Sequence, residues 1–424
     1  MNELQKFTPD FNRMIKIAIL NTMGFFFLDY LIPVVTSQFL GASGLEIGLI
    51  FSVQVLGHTI SSFFVGFLTD RVKNKKTLIM IGSFGRGLSY FLLYFALLLN
   101  SLFLIGIGTF SLGFLAGFYW IPFNALIAEK SKKQHRSEAY GKREAAMGRG
   151  MLYGSILGFT IFGFTLNYNI PAISYLAIII FGLSNFAAGF LFSKVDESMK
   201  IIETKSIQTP SRIKEETKLR TQKTMLWGFI FLTSVLFLGS INGTIGRPFF
   251  NLFILEELIN DPTIAMLAFI PSGFVSLFLA PKLGAFVDKL KPSIGIGVSS
   301  FLGSIITWLL INSQNIVIFA ILLVLDMTII SAGGLVFQNF LSRISISKRG
   351  KVMGTQSFFS NIGAAVGPIM GGFFWDYLGN KAPFTISIIV ELSLIPFYLI
   401  AVYLMKSHLT EKYSEKKIKE IEKT

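Results

Sequence analysis

Cysteine is missing from the sequence altogether. That excludes disulfides, thiolate metal sites and a cysteine nucleophile. Charge is scarce: Asp, Glu, Lys and Arg make up 15% of 424 residues, where a soluble chain carries about 25%. Histidine occurs three times, and no His-Glu-x-x-His pair is among them. A Gly-Lys-Thr/Ser phosphate loop and a Gly-x-Ser-x-Gly nucleophile elbow are also absent. With no nucleotide-binding domain there is no direct ATP drive. No metal, cofactor or enzymatic activity is expected. Met1 to Met14 are polar and lack a signal-peptide layout, so the first apolar segment is expected to stay in place as a helix.

What fills the chain instead is apolar. Hydrophobic residues make up 52%, phenylalanine alone occurs 45 times, and the mean hydropathy is +0.63. A membrane-spanning helix needs about 20 mostly apolar residues. Such segments fall at 15–39, 45–69, 77–99, 101–128, 141–166 and 171–193, and again at 225–255, 262–287, 292–311, 315–341, 351–378 and 383–405. The pattern predicts an all-α membrane protein with twelve transmembrane helices in two pseudo-symmetric six-helix bundles. Residues 1–193 form the first bundle, 194–223 a polar linker, 224–405 the second bundle and 406–424 a charged tail.

The net charge of +14 would suit a nucleic-acid partner, but its placement argues otherwise. Of 38 Lys and Arg residues, 34 fall in the N-terminal arm, the alternate connections and the tail. Three (Arg86, Arg149 and Arg247) lie inside spans, and only Lys381 lies in the other set of connections. Basic residues collect on the cytoplasmic side of membrane proteins. This predicts a multi-pass protein of the cell membrane with both termini cytoplasmic, a lipid bilayer as surroundings and no nucleic-acid partner.

The halves echo each other. Gly66–Arg71 recurs, weakened, as Gly284–Lys289, 218 residues later; Asn124 recurs as Asn339; Arg136–Gly141 recurs as Arg349–Gly354; and Pro33 has a counterpart in Pro248. Parallel repeats of this kind build transporters with a solute path between two bundles.

Gly66-Phe-Leu-Thr-Asp70-Arg71 with its following lysines resembles the loop signature of the major facilitator superfamily. Leu40-Gly-Ala-Ser43, Ile47-Gly48-Leu49, Arg136…Gly141 and the Gly363–Gly372 stretch are similar to family sequences as well. The resemblance spans residues 15–405. Asn74-Lys75-Lys76 departs from it where the family usually places another glycine. The resemblance implies a cleft lined by helices 1, 4, 7 and 10. It also implies a cytoplasmic latch in which Asp70 faces the start of helix 11, with Gly66, Arg71, Glu129 and, in the second half, Asp288 as associated residues.

Charges within the spans cost about 2.5–3.5 kcal/mol each on insertion scales, so they must pair or line water. Asp29 and Asp326 are the candidate proton carriers, joined by His58. Asp29 has Arg149 or Arg86 as alternative structural partners. Arg149, Arg247, Tyr119 and Trp120 are candidates for the solute cleft. Arg86 and Glu391, on helices 3 and 12, read first as structural, and Asn242, Gln338, Gln356 and Asn361 read equally well as solute contacts or helix-to-helix contacts. The glycines at 148, 150, 154 and 158, and at 363, 367, 371 and 372, read as close-packing faces. The expected function is secondary transport of a small organic solute by alternating access, led by proton-coupled efflux of an amphipathic compound. Nutrient uptake and a non-transporting sensor are the alternatives. A monomer is expected.

Overall fold

The computed structural model describes residues 6–72, 74–132, 135–166, 170–198, 218–268, 292–342 and 349–405. It is all-α; the only extended pairing among the described residues is a single bridge between Phe7 and Ser131. The first half contains α1 (Phe11–Thr22), α2 (Phe25–Gln38), α3 (Gly44–Arg71), α4 (Lys75–Leu98), α5 (Leu102–Glu129), α6 (Arg136–Leu166), a short α7 (Pro171–Ser174) and α8 (Leu176–Phe192). The second half contains α9 (Lys218–Ile245), α10 (Phe249–Phe253) with a π-helical turn over Ile254–Leu258, α11 (Pro262–Leu267), α12 (Pro292–Ile311), α13 (Ile316–Ser342), α14 (Arg349–Leu378) and α15 (Ala382–Met405). Among the described residues, ten spans are long and apolar enough to cross a membrane. The fifth, α6, is not among them: its first half carries Glu138, Lys142, Arg143 and Glu144, and its apolar second half begins at Arg149. The eighth is described only at its start, so Gly284, Asp288 and Lys289 lie outside the described residues, as do most of the linker and the tail.

Large apolar side chains face outward around the helices. Phe63, Phe103, Phe164 and Tyr403 are each at least three-quarters exposed. Soluble proteins rarely expose so much apolar area; a bilayer accounts for it.

The first span was expected to be one helix, but it breaks between α1 and α2 at Met23–Gly24. The seventh breaks between α9 and α10 at Gly246–Pro248. Glycine is a poor helix residue and proline lacks the N–H needed to continue one. The two breaks are equivalent. Thr22 Oγ1 donates back to Ala18 O and Ile19 O; Thr244, 222 positions later, does the same to Ser240 O and Ile241 O. The glycine faces match too. A Cβ on Gly150 would lie 2.1 Å from Thr22 Oγ1, and one on Gly367 would lie 2.1 Å from Thr244 Oγ1. A Cβ on Gly154 would lie 1.7 Å from Met23 O, and one on Gly371 would lie 1.9 Å from Ile245 O. So α6 lies on the first span as α14 lies on the seventh. By this register Pro33 and Pro248 are not counterparts; Pro248 takes the place of Phe26.

At the end bearing Asp10 and Asp70, the N-terminal arm is pinned to the first bundle. Thr8 N donates to Lys130 O at 3.0 Å and Lys132 N to Lys6 O at 3.1 Å. Lys130 is fully buried, yet its Nζ reaches both oxygens of Asp10 at 3.1 and 2.8 Å and Asp196 O at 2.6 Å. Lys6 bonds Glu138, and this bond, with Lys142 and His135 nearby, holds the Glu138 carboxyl below the usual range. Glu197 caps α4, accepting from Lys75 N at 2.7 Å and Lys76 N at 3.2 Å. The basic cluster is therefore built into the fold as well as marking topology. Removing one partner of a buried ion pair costs about 3–5 kcal/mol. Asp10→Ala is expected to lower stability toward that range, read as an earlier thermal transition in detergent, whereas Lys6→Ala, at an exposed pair, leaves it nearly unchanged.

Candidate functional site

The two bundles meet at a pair of opposite charges. Asp29 lies on α2 just past the first-span break, and Arg247 sits within the seventh-span break. Arg247 Nη2 donates to Asp29 Oδ2. This pair joins Asp29 to the other bundle, not to Arg149 or Arg86. Pro33 explains part of the geometry. Four residues after Asp29, it has no N–H to give the Asp29 carbonyl. Asn251 on α10 supplies that donor, with Nδ2 3.1 Å from Asp29 O. Asn251 lies 222 positions after Asp29, so the bond joins equivalent points of the two halves.

The pair is wet. The Arg247 side chain is 61% exposed and Asp29 is 30% exposed. The residues that follow each of them, Tyr30 to Val35 and Phe249 to Leu255, belong to one apolar cluster with Trp375 and Phe384. That cluster closes over the pair toward the end bearing Asn100.

Above the apolar cluster the closure is backbone to backbone. A Cβ on Gly48 of α3 would lie 2.2 Å from Pro368 O, and one on Gly372 of α14 would lie 2.2 Å from Gly44 O. The Ser43–Glu46 capping box starts α3, and Asp376 completes it from the other bundle. Its Oδ1 accepts from Gly44 N at 2.7 Å and its Oδ2 from Leu45 N at 2.9 Å. A carboxylate on a helix N-terminus satisfies orphan donors and meets the positive end of the helix dipole, worth roughly 0.3–2 kcal/mol. Asp376→Asn is expected to open this end about three- to tenfold more often. The readout is labelling of Ser52→Cys, a position 1% exposed that lies on the Gly44–Gly48 stripe of α3, in a chain with no other cysteine.

The remaining sequence candidates divide. Trp120 on α5 is half-buried and packs edge-on to Phe25. Tyr119 does not face a cleft: it is fully buried and stacks on Phe123, because α5 turns that position into the first bundle. His58 is half-buried on α3 within electrostatic reach of Arg86. Asp326 is 4% exposed and accepts from Thr307 of α12 at 3.3 Å, so it is held between helices of its own bundle. Arg149 is exposed and makes no ion pair among the described residues. Glu129 pairs with Lys75 at 2.9 Å and not with Arg71, whose guanidinium lies 3.8 Å from the Phe67 ring centroid. Asp70 is exposed, and nothing packs near Gly66 where a Cβ would sit. Glu391 is held by Asn242 Nδ2 at 2.8 Å and by Ser300, a cross-helix contact of the second bundle. In the first bundle Asn21, Ser83 and Asn185 form a similar chain.

The sequence model of the Major Facilitator Superfamily matches residues 17–347. The chain belongs to the major facilitator superfamily. It is therefore a multi-pass membrane transporter of small solutes. Among its superfamily relatives is an uncharacterized MFS-type transporter of Methanocaldococcus jannaschii, 25% identical over 372 residues, covering 82% of this chain and 86% of the relative. The multidrug resistance protein MdtG of Escherichia coli is 26% identical over 355 residues, 80% of each chain. A crystal structure of a bacterial homolog to the human lysosomal transporter Spinster, inward-facing and unoccupied, shares the fold with a TM-score of 0.71 at 13% identity, covering 95% of this chain and 98% of that one.

Proposed function

We propose that the protein exports an amphipathic organic compound in exchange for protons, with the Asp29–Arg247 pair as the element that couples the two. The carrying observation is the position of that pair: it joins the bundles, is partly exposed, and adjoins the apolar closure. An exposed pair is worth only about 0–1 kcal/mol, so it can be broken once per cycle. A proton on Asp29 or an anionic group on Arg247 breaks it. Trp120 and Phe25 offer an aromatic wall near Asp29, suited to an apolar or cationic compound. A relative named for multidrug resistance supports the same reading.

Placed by its charges, with the Asp70 end and both termini cytoplasmic, the structure is inward-facing. Residues 1–193 and 224–405 are then the two rocking bundles of a monomer in the cell membrane. The test is purified protein in liposomes under an imposed pH gradient, with a panel of cationic and neutral amphipathic dyes. Dye-dependent proton movement supports the reading; its absence across the panel sinks it. The exposure of Arg247 and Arg149 favours a second reading, in which an anionic solute such as a carboxylate displaces Asp29 from Arg247. Tracer uptake of carboxylates in the same liposomes separates the two.

The Asp70 latch belongs to the opposite state. Asp70 has no partner among the described residues here. Asp70→Asn is expected to leave the melting temperature of this state unchanged while reducing Ser52→Cys labelling about threefold or more, the loss of one charge–dipole contact.

A further inference from the structure

The first bundle holds a positive charge without a counter-ion. Arg86 on α4 is fully buried. One of its nitrogens, Nη1, donates to Asn21 Oδ1 on α1. The guanidinium carbon lies 4.5 Å from the centroid of the Phe25 ring. The other two nitrogens, Nε and Nη2, have no hydrogen-bond partner. Tyr90, one turn along α4, and Tyr119 of α5 lie within electrostatic reach of the guanidinium. Both hydroxyls are buried; neither makes a well-aligned hydrogen bond, and that of Tyr90 lies directly beside the guanidinium. No carboxylate pairs with Arg86 among the described residues. Arg86 Nε and Nη2 and the two hydroxyls leave four donors beside one buried charge, more than the single Asn21 oxygen accepts, and so describe a site for a carboxylate. Leaving it empty costs stability, because a buried charge without a partner is among the most expensive features a fold can carry.

A carboxylate stands close by on the same face of the first span. Asn21, Phe25 and Asp29 are four residues apart, and the break at Met23–Gly24 keeps near-helical dihedrals, so the three form one stripe. The first two already touch Arg86. Asp29 lies one turn further, a rise of about 6 Å, and it acts electrostatically on Tyr90. Its present bond to Arg247 uses Oδ2. The joint that would have to bend is Gly24. It faces the Tyr90 hydroxyl so closely that a Cβ there would lie 2.4 Å from it.

We propose that Arg86, with the hydroxyls of Tyr90 and Tyr119, is the second binding site of the Asp29 carboxylate: Asp29 pairs with Arg247 while the Asn100 end is closed, and pivots on Gly24 to Arg86 when that end opens. This rests on reading the Asp29–Arg247 pair as the switch. Asp29 then has a counter-ion in both end states, and a proton is needed only for the crossing. Arg247 is left free in the open state to meet the solute or water. Arg86 acts as a positioning residue for Asp29.

The test uses Ser52→Cys, covered in this structure and reached by a membrane-impermeant maleimide only when α3 and α14 part. Arg247→Ala is expected to raise the labelling rate about fivefold, the low end of ordinary coupling between sites. Adding Arg86→Gln is expected to cancel that rise, while adding Arg86→Lys keeps most of it. In an Asp29→Asn background Arg86→Gln is expected to change nothing. If Arg86→Gln leaves labelling unaltered with Asp29 intact, the proposal is overturned. If it lowers labelling equally with Asn at position 29, the carboxylate in the site is a solute's or another residue's, and the proposal is overturned as well. If neither Arg247→Ala nor Asp29→Asn moves labelling, the switch reading itself fails, independently of Arg86. Tyr90→Phe, which removes the hydroxyl beside Arg86 without emptying the core, carries the same expectation at reduced size and serves if Arg86→Gln does not fold.

Discussion

Asp29→Asn is expected to lower pH-driven transport by at least about tenfold, the effect of some 1.4 kcal/mol on a coupled step, while exchange of solute across the membrane without a gradient persists. The reasoning follows from the geometry of the pair. Asn is nearly the shape of Asp, so Arg247, Asn251 and the Pro33 turn keep their places. What disappears is the charge that a proton can cancel. The variant is held permanently in the neutral condition, so solute movement no longer depends on proton movement. Stability should barely change: Arg247 is 61% exposed, whereas Lys130 is fully buried. Arg247→Lys is expected to retain part of the coupling, since the charge remains but the planar donor pair is lost. Parallel assays in liposomes, one with an imposed pH gradient and one with equal pH on both sides, give the split. Equal loss in both assays would assign Asp29 to solute binding alone.

The helices and their number were legible in the sequence because a bilayer leaves no choice. Every backbone group in an apolar span must bond within the span, so long apolar runs become helices wherever they occur. The glycine faces were legible for a related reason: residues four apart share a helix face, and Gly150, Gly154 and Gly158 do press on the first span as Gly363, Gly367 and Gly371 press on the seventh. What the sequence did not reveal was pairing at long range. Asp29 was readable as a charge that needs a partner, but that partner lies 218 residues away at a helix break in the other half. Asp376 carried no signal at all. It looks like a polar residue near a helix end, and only the fold shows that α3 begins beside it. Asn251 was hidden in the same way, although Pro33 left a carbonyl unbonded and so announced that some donor must come. Tyr119 and Trp120 could not be told apart in the sequence, yet adjacent positions on a helix face about 100° apart: Trp120 reaches toward Phe25 while Tyr119 enters the core. The repeat offset slipped by about two turns in the first and seventh spans, since prolines at 215 residues were matched where the threonines and glycines match at 222.

The second large effect concerns the crossing of α3 and α14. Gly48→Val and Gly372→Val are each expected to prevent the closure seen here and to hold the Asn100 end open. At both positions the added Cβ would lie 2.2 Å from a backbone oxygen of the other bundle. Backbone cannot rotate away as a side chain can, so the only relief is to move the helices apart. Separation by even an ångström or two breaks the Asp376 cap on Gly44 and Leu45, and the contact is lost as a unit. Neither bundle has its own core disturbed, because both glycines face across the junction, so each variant should fold and reach the membrane. A clash in one state and none in the other can supply several kcal/mol of bias, and about 5.5 kcal/mol inverts a 99:1 population. Ser52→Cys labelling should therefore become nearly complete in either variant, while solute exchange, which needs both states, falls to background. Gly66→Val is the control. Nothing lies within 4 Å of a Cβ at Gly66, so it should leave Ser52→Cys labelling near that of the unmodified chain. If Gly48→Val and Gly372→Val also leave labelling low, the helices do not part along this line, and the opening motion must pivot elsewhere.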